Sequence, residues 1–94
     1  MSKKDKILDL VLEYKWFDMI VSGEKKEEYR SLAWFVRITD EDGKLLYEKI
    51  RIRRGYTARA ALYELLGYHI GVGRKSWGAP DGKVICLELG QRLE

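Results

Sequence analysis

The sequence predicts a small domain of the α+β class that is mainly β, a mixed or antiparallel barrel of roughly five to six strands with one or two short helices. Apolar residues alternate with polar ones along several short segments, and only one segment has a firm helical period. Helices and strands do not alternate as they do in parallel α/β folds. The length of 94 residues fits one domain over residues 1–94.

The composition predicts a folded protein in a reducing, cytoplasmic environment. Hydrophobic residues make up 46% of the chain, and a single cysteine, Cys86, excludes an internal disulfide. No apolar run approaches the roughly 18 residues of a membrane span, so no membrane association is expected. One histidine, His69, and one cysteine cannot form a zinc site, and neither a metal nor another cofactor is expected. Cys86 lies in an apolar segment, where thiols are usually buried and inert.

The amino-terminal part predicts a strand and then a helix. Residues 1–6 are polar and lysine-rich, which is typical of a frayed start. From Ile7 the pattern alternates, and it predicts a strand with Leu8, Leu10, Leu12 and Tyr14 on its apolar face. The helix that follows presents Trp16, Met19 and Ile20 on one side, and Gly23 is expected to end it in a left-handed conformation.

The middle of the chain predicts two strands joined by a turn. Residues Ser31 to Thr39 are aromatic and β-branched, which favours a strand, although a helical turn would also bring Trp34 and Ile38 together. An acidic turn follows at residues 40–43 and ends in Gly43. Residues 45–53 predict the next strand, with Ile50 and Ile52 pointing inward and the cations between them pointing outward.

The carboxy-terminal part contains one ambiguous segment. After a break at residues 55–57, residues 60–70 have good helix propensity but also alternate imperfectly as a strand. Residues 71–73 end that segment, residues 74–82 form a loop that holds Trp77 and the only proline, and residues 84–89 predict the last strand.

A densely charged run follows Gly23 and allows two interpretations. It can be a solvated edge strand whose mixed charges discourage pairing with other strands. Alternatively, Lys25, Glu28 and Arg30 line the mouth of the barrel and contact a phosphate or a base edge. An ideal strand would place Lys25 opposite the other two side chains, so convergence requires a bend near Lys26.

Clustered cations predict a nucleic-acid partner. Arg51, Arg53, Arg54 and Arg59 lie within nine residues that contain no acid. Cations of this kind follow a phosphate backbone, while nearby aromatic rings stack on unpaired bases, as in single-stranded RNA binding. In the alternative interpretation these arginines balance the acids at positions 40–42 and 48. The glycines before Arg74 and Lys75 can hold a phosphate, but they are more often a simple turn.

The run SGEKKEEYR resembles the signature of the ASCH family, small β-barrels related to the PUA RNA-binding domains. A second block, WGAP at residues 77–80, with Arg54-Gly55-Tyr56 before it and residues 87–90 after it, is similar to small ASCH proteins of phage and prophage type. The resemblance implies a strand at residues 60–70 and a binding cleft between the GEKKEEYR segment and the WGAP loop.

The predicted function is therefore an RNA- or nucleotide-binding module. Some ASCH proteins hydrolyse the acyl group of a modified cytidine with a lysine and a threonine in this run; Lys25 matches the lysine, but Glu28 stands where the threonine would be, so that activity is not carried over. An enzyme that acts on RNA or a modified nucleoside, with Lys25 and Glu28 as an acid/base pair, is one alternative. A protein-interaction domain without catalysis is another. The expected ligand-binding residues are Lys25, Lys26, Glu28, Arg30, Arg51, Arg53, Arg54, Tyr56, Arg74 and Trp77.

Overall fold

A computed structural model describes residues 6–94. The predicted frayed start lies outside the described residues except for Lys6, whose carbonyl oxygen accepts a hydrogen bond from the Glu48 N–H at 3.1 Å. Within the described part of the chain, neither helix has the length and apolar character of a membrane span. The elements are β1 (Ile7–Leu12), α1 (Tyr14–Val21), β2 (Glu27–Arg30), α2 (Phe35–Ile38), β3 (Lys49–Arg54), β4 (Ala60–Val72) and β5 (Lys83–Arg92), with single 3-10 turns at Leu32–Trp34 and Lys75–Trp77.

The five strands form one curled sheet, a half-barrel, in the order β1-β3-β4-β5-β2. The β1–β3 pair is parallel and the other three pairs are antiparallel. This confirms the predicted small, mainly β fold of the α+β class. Strands β1 and β2 are the two edges, and a side chain connects them: Arg30 Nη2 donates to the Val11 carbonyl oxygen at 3.4 Å.

The core lies on the concave side of the sheet and is covered by α1. Alternation along β1 buries Leu8, Leu10 and Leu12, as predicted, and Ile50 and Ile52 of β3 are fully buried. The predicted inward position of Tyr14 is wrong, because this residue begins α1 and its side chain is 51% exposed. The fully buried residues of α1 are Phe17 and Ile20, whereas Trp16 and Met19 are only partly buried.

The strand predicted over Ser31 to Thr39 is wrong, because the segment forms a 3-10 turn and then α2. Phe35 and Ile38, three residues apart, pack on the core, while Val36 is 81% exposed. A strand would place Val36 and Ile38 on the same face, so burying only one of them requires a helical period. The helical turn that the sequence also allowed is the correct description of this segment.

The predicted turn at residues 40–43 is confirmed. Asp40 Oδ1 accepts hydrogen bonds from the N–H groups of Asp42 and Lys44, and Gly43 has a φ of 79°. The next strand begins later than predicted, at Lys49 and not at residue 45, because residues 44–48 contribute only an isolated bridge between Thr39 and Leu45.

Residues 60–70 are strand, as the family resemblance implied, and the element continues to Val72. The pairing of β4 with β5 shifts register twice, between Tyr63 and Leu65 and between Leu65 and Gly67. Up to the second shift the odd-numbered residues Ala61, Tyr63 and Leu65 face the core, and after it Tyr68 does. These register shifts explain why the alternation in the sequence is imperfect. The predicted last strand is also confirmed, although it extends over Lys83–Arg92.

Candidate functional site

A sharp turn after α1 brings Lys25 back towards the rest of the charged run. Gly23 has a φ of 90° and its N–H donates to the Ile20 carbonyl oxygen at 3.0 Å, while the Lys25 N–H donates to the Met19 carbonyl oxygen at 3.0 Å. Because β2 begins only at Glu27, Lys25 does not follow the alternation of that strand. This is the bend that convergence of the three charged side chains required.

Lys25, Glu28 and Arg30, hereafter the Lys25 cluster, share the carboxylate of Glu28. Lys25 Nζ lies 3.2 Å from Glu28 Oε1, and Arg30 Nη2 lies 3.4 Å from Glu28 Oε2. Lys25 is 2% exposed and Glu28 is 7% exposed. β2 is an edge strand, but the interpretation of this run as a solvated edge is wrong for these two residues.

Burial changes the proton affinity of both members of the Lys25–Glu28 pair. Loss of water lowers the pKa of the Lys25 ammonium, against the attraction of the Glu28 carboxylate. Loss of water raises the pKa of Glu28, against the two cations beside it. Burial therefore acts on both groups in the direction of their neutral forms, and the attraction between the two charges opposes this effect.

The Lys25 ammonium also joins the WGAP loop to helix α1. Its Nζ donates to the Trp77 carbonyl oxygen at 2.5 Å and lies 5.5 Å from the centroid of the Trp16 ring. Gly78 has a φ of 95°, and a Cβ at this position would lie 2.6 Å from the Trp16 ring. The predicted proximity of the charged run and the WGAP loop is therefore present, through the backbone of Trp77 and not through its indole ring.

Tyr29 fixes the other end of this loop. Its hydroxyl donates to Glu27 Oε1 at 2.9 Å and accepts from the Arg74 N–H at 3.1 Å. Burial raises the pKa of Tyr29 to about 12. The Lys25 ammonium lies 4.7 Å from the centroid of the Tyr29 ring, and a Cβ on Gly73 would approach that ring to 2.5 Å. The sequence analysis did not identify this role of Tyr29. An indication was present, because Tyr29 is the one uncharged residue between Glu24 and Arg30.

Two guanidinium groups lie against the Trp34 ring. Arg30 is 5.0 Å and Arg37 is 4.3 Å from the ring centroid. Arg30 Nε is buried and has no hydrogen-bond partner within residues 6–94. Trp34 and Arg37 were not among the predicted site residues, because a strand was expected where the helix places them side by side.

The arginines of β3 have acidic partners other than those expected. Arg51 Nη1 lies 3.4 Å and Arg53 Nε lies 2.9 Å from the carboxylate of Asp9, across the β1–β3 pair. Arg54 holds Asp18 of α1 with two hydrogen bonds of 2.9 and 3.0 Å, which lower the pKa of Asp18. Asp9 and Asp18, and not the acids at positions 40–42 and 48, therefore neutralise these arginines. Arg54 also stacks on the Tyr14 ring at 4.2 Å.

The remaining predicted residues do not join the Lys25 cluster. Tyr56 is 95% exposed at the turn after β3, and no contact among the described residues connects it to the cluster. Arg74 lies 4.5 Å from the centroid of the Trp77 ring, and Lys26 is exposed. The predicted residues therefore occupy one buried cluster and several exposed cation–ring pairs around it.

The pocket beside this cluster is small. It has a volume of about 90 Å³ and is lined by Ile20, Gly23, Lys25, Lys26, Tyr63, Leu89 and Gly90. Ordinary small-molecule pockets hold about 300 to 1,000 Å³. This pocket is therefore too small to enclose a nucleotide.

His69 and Cys86 do not form a metal site, and His69 does not activate the Cys86 thiol as a nucleophile. Cys86 is fully buried, as predicted, and burial raises the pKa of its thiol, which disfavours the reactive thiolate. His69 Nδ1 lies 2.7 Å from Glu88 and its Nε2 lies 3.9 Å from Glu27. Among residues 6–94, no group of three or more His, Cys, Asp or Glu side chains could hold a metal ion.

Comparison of the chain with protein-family models and with curated proteins finds no match.

Proposed function

We propose that this chain is a PUA-like domain related to the ASCH family and that it binds single-stranded RNA, or a nucleotide, on the surface around the Lys25 cluster. The observation that carries this proposal is the pair of guanidinium groups of Arg30 and Arg37 against one ring, Trp34. Aromatic rings and guanidinium planes are the groups on which unpaired bases stack, and the same cations attract phosphates.

The surroundings of this pair support the proposal. Arg30 reaches the carbonyl oxygen of Val11, while Arg54 stacks on the Tyr14 ring directly after the same strand. Two cation–ring pairs therefore lie near the carboxyl end of β1, and Arg74 with Trp77 forms a third on the loop that Lys25 holds. A surface with several such pairs can bind successive nucleotides with little preference for sequence.

The buried Lys25–Glu28 pair has a supporting role in this proposal. It fixes the position of Arg30 through Glu28 and that of the WGAP loop through Trp77. Lys25 is too deeply buried to contact a phosphate itself, so its effect on RNA binding is expected to be indirect.

Anisotropy of a labelled single-stranded RNA tests the proposal. Charge reversal of the exposed residues Arg37→Glu and Arg74→Glu is expected to weaken binding at least tenfold, because each removes a cation and a stacking plane. Lys44→Glu makes the same change of charge in the exposed turn after α2 and is expected to bind as the parent protein does. Equal affinity of all three variants, each with unchanged thermal stability, would exclude this surface.

A second candidate function is catalysis on RNA or a modified nucleoside. The observation that favours it is the Lys25–Glu28 pair, in which burial lowers the pKa of the amine and raises the pKa of the acid. Such perturbed pairs are frequent at acid/base sites. Turnover of RNA or of modified cytidines that disappears in folded Glu28→Gln would support this function, and no turnover across that panel would reject it.

A further inference from the structure

Within the described part of the chain, the second half of β4 has a backbone partner on one side only. β3 pairs with β4 from Ala60 to Glu64, and the Leu65 N–H still donates to the Glu48 carbonyl oxygen at 3.0 Å. Beyond Leu65, β5 continues to pair with β4 as far as Val72. No described strand pairs with the opposite side of residues 66–72, which we call the β4 edge.

The β4 edge lacks the charges that usually protect such a strand. Residues 65–73, LLGYHIGVG, form the longest run without Asp, Glu, Lys or Arg in a chain in which 35% of the residues are charged. Its exposed side chains include Leu66, Ile70 and Val72, with 66%, 47% and 70% of their surfaces accessible. By contrast, three of the four residues in the edge strand β2 are charged. An uncharged, apolar edge is suited to pairing with another strand.

We propose that the β4 edge pairs with the β4 edge of a second copy of this chain, antiparallel about a two-fold axis at His69. A free row of backbone N–H and carbonyl groups is complementary to an extended strand, and a two-fold pair satisfies both rows in one closed contact. This inference does not depend on RNA binding.

The residues on either side of His69 fit this register. Tyr68 would lie opposite Ile70 of the second copy, which pairs large apolar side chains on the core face of the strand. Gly67 would lie opposite Gly71 of the second copy, on the face that also holds His69. Residue 69 of one copy would therefore lie opposite residue 69 of the other with only glycines beside it on that face of its own strand, while each imidazole ring keeps its contact with Glu88 of β5.

Sedimentation velocity without RNA, from low to high micromolar protein, tests the proposal. The parent protein is expected to form a dimer, and Ile70→Lys and Val72→Lys are each expected to raise the dissociation constant at least tenfold, because they place charge in the contact. Val36→Lys is the matched control, since Val36 is 81% exposed on α2 and is expected to leave the dimer intact. A monomer at every concentration, an open-ended assembly, or a dimer that Ile70→Lys leaves unchanged would overturn the proposal.

A cross-link tests the register. In a Cys86→Ala background, His69→Cys is expected to form a disulfide between two copies under mild oxidation, because residue 69 faces itself across the axis. Ser76→Cys, also exposed, is expected to remain monomeric in the same experiment. Cross-linking of both variants to the same extent, or of neither, would overturn this arrangement.

Discussion

The ammonium of Lys25 donates a hydrogen bond to the carbonyl oxygen of Trp77, which lies 52 residues later in the chain. This contact closes the WGAP loop over the same lysine that forms the ion pair with Glu28. A cation so deeply buried is costly unless it is paired, so the loop, the ion pair and the turn at Gly23 depend on one another.

We expect Lys25→Met to lower the free energy of unfolding by about 3 kcal/mol, because it leaves the Glu28 carboxylate buried with only Arg30 beside it. Lys26→Met is the control, since this neighbouring lysine is exposed and its loss should change stability by less than about 0.5 kcal/mol. Urea unfolding measures both. The double variant Lys25→Met/Glu28→Leu should recover part of the loss, and no recovery would mean that the pair is not the cause.

We expect the stability of the protein to fall as the pH rises from 10 to about 12, in part because of Tyr29. Burial raises its pKa to about 12 in the folded state, from an ordinary value of 10.0. The unfolded chain therefore releases this proton first, and the stabilisation is complete below pH 10 and is lost as the pH rises through the folded pKa.

Tyr29→Phe tests this assignment. It should make the alkaline loss of stability shallower and, by removing two hydrogen bonds, should cost about 1 to 2 kcal/mol at neutral pH. Tyr56→Phe is the control, because Tyr56 is 95% exposed and should leave both quantities unchanged. Chemical unfolding at a series of pH values measures the slopes. Identical slopes for the parent and Tyr29→Phe would contradict the assignment.

We expect Gly78→Ala to destabilise the protein more than Gly82→Ala does. Both glycines have positive φ, 95° and 87°, so both substitutions carry the backbone strain of about 1 to 2 kcal/mol. Only at Gly78 would the new Cβ strike another group, the Trp16 ring at 2.6 Å, whereas nothing lies within 4 Å of a Cβ at Gly82. Thermal unfolding of the two variants gives the difference, and equal losses would show that the loop does not depend on this contact.

We expect Arg37→Gln to reduce the salt dependence of RNA binding. If Arg37 contacts one phosphate, its loss should make the slope of log affinity against log salt concentration less steep by about 0.7, which is the contribution of one phosphate contact on a single strand. Lys44→Gln should leave the slope unchanged. Titrations of a single-stranded RNA at several salt concentrations measure both, and the same slope in Arg37→Gln would place the phosphate contact elsewhere.

The sequence predicts a strand best where one face of that strand packs on the core and the other face does not. Leu8, Leu10 and Leu12 in β1, and Ile50 and Ile52 in β3, keep a strict alternation, and both strands could be predicted directly. In β4 the two register shifts change which residues face the core. Neither the hydrophobic period nor the helix and strand propensities therefore identified this segment as a strand, and the prediction depended on the resemblance to the ASCH family.

The candidate site could be predicted only in part, because its geometry depends on contacts between distant segments. The charged run identified Lys25, Glu28 and Arg30, but their convergence depends on the path of the chain between the turn at Gly23 and the start of β2 at Glu27, which the pattern of residues does not specify. Trp34 was expected in a strand, so its position between Arg30 and Arg37 could not be inferred. The burial of Lys25 depends on a loop 52 residues away, which local patterns do not reveal.

The hydrogen bond from Arg30 to the Val11 carbonyl oxygen has a consequence for the edges of the sheet. The two edge strands of the half-barrel, β1 and β2, are connected there by one side chain, so this link depends on the identity of residue 30. A lysine at position 30 could make a single contact where the guanidinium group reaches both Glu28 and Val11. A substitution at Arg30 would therefore remove a contact between the two edge strands while leaving the hydrophobic core unchanged.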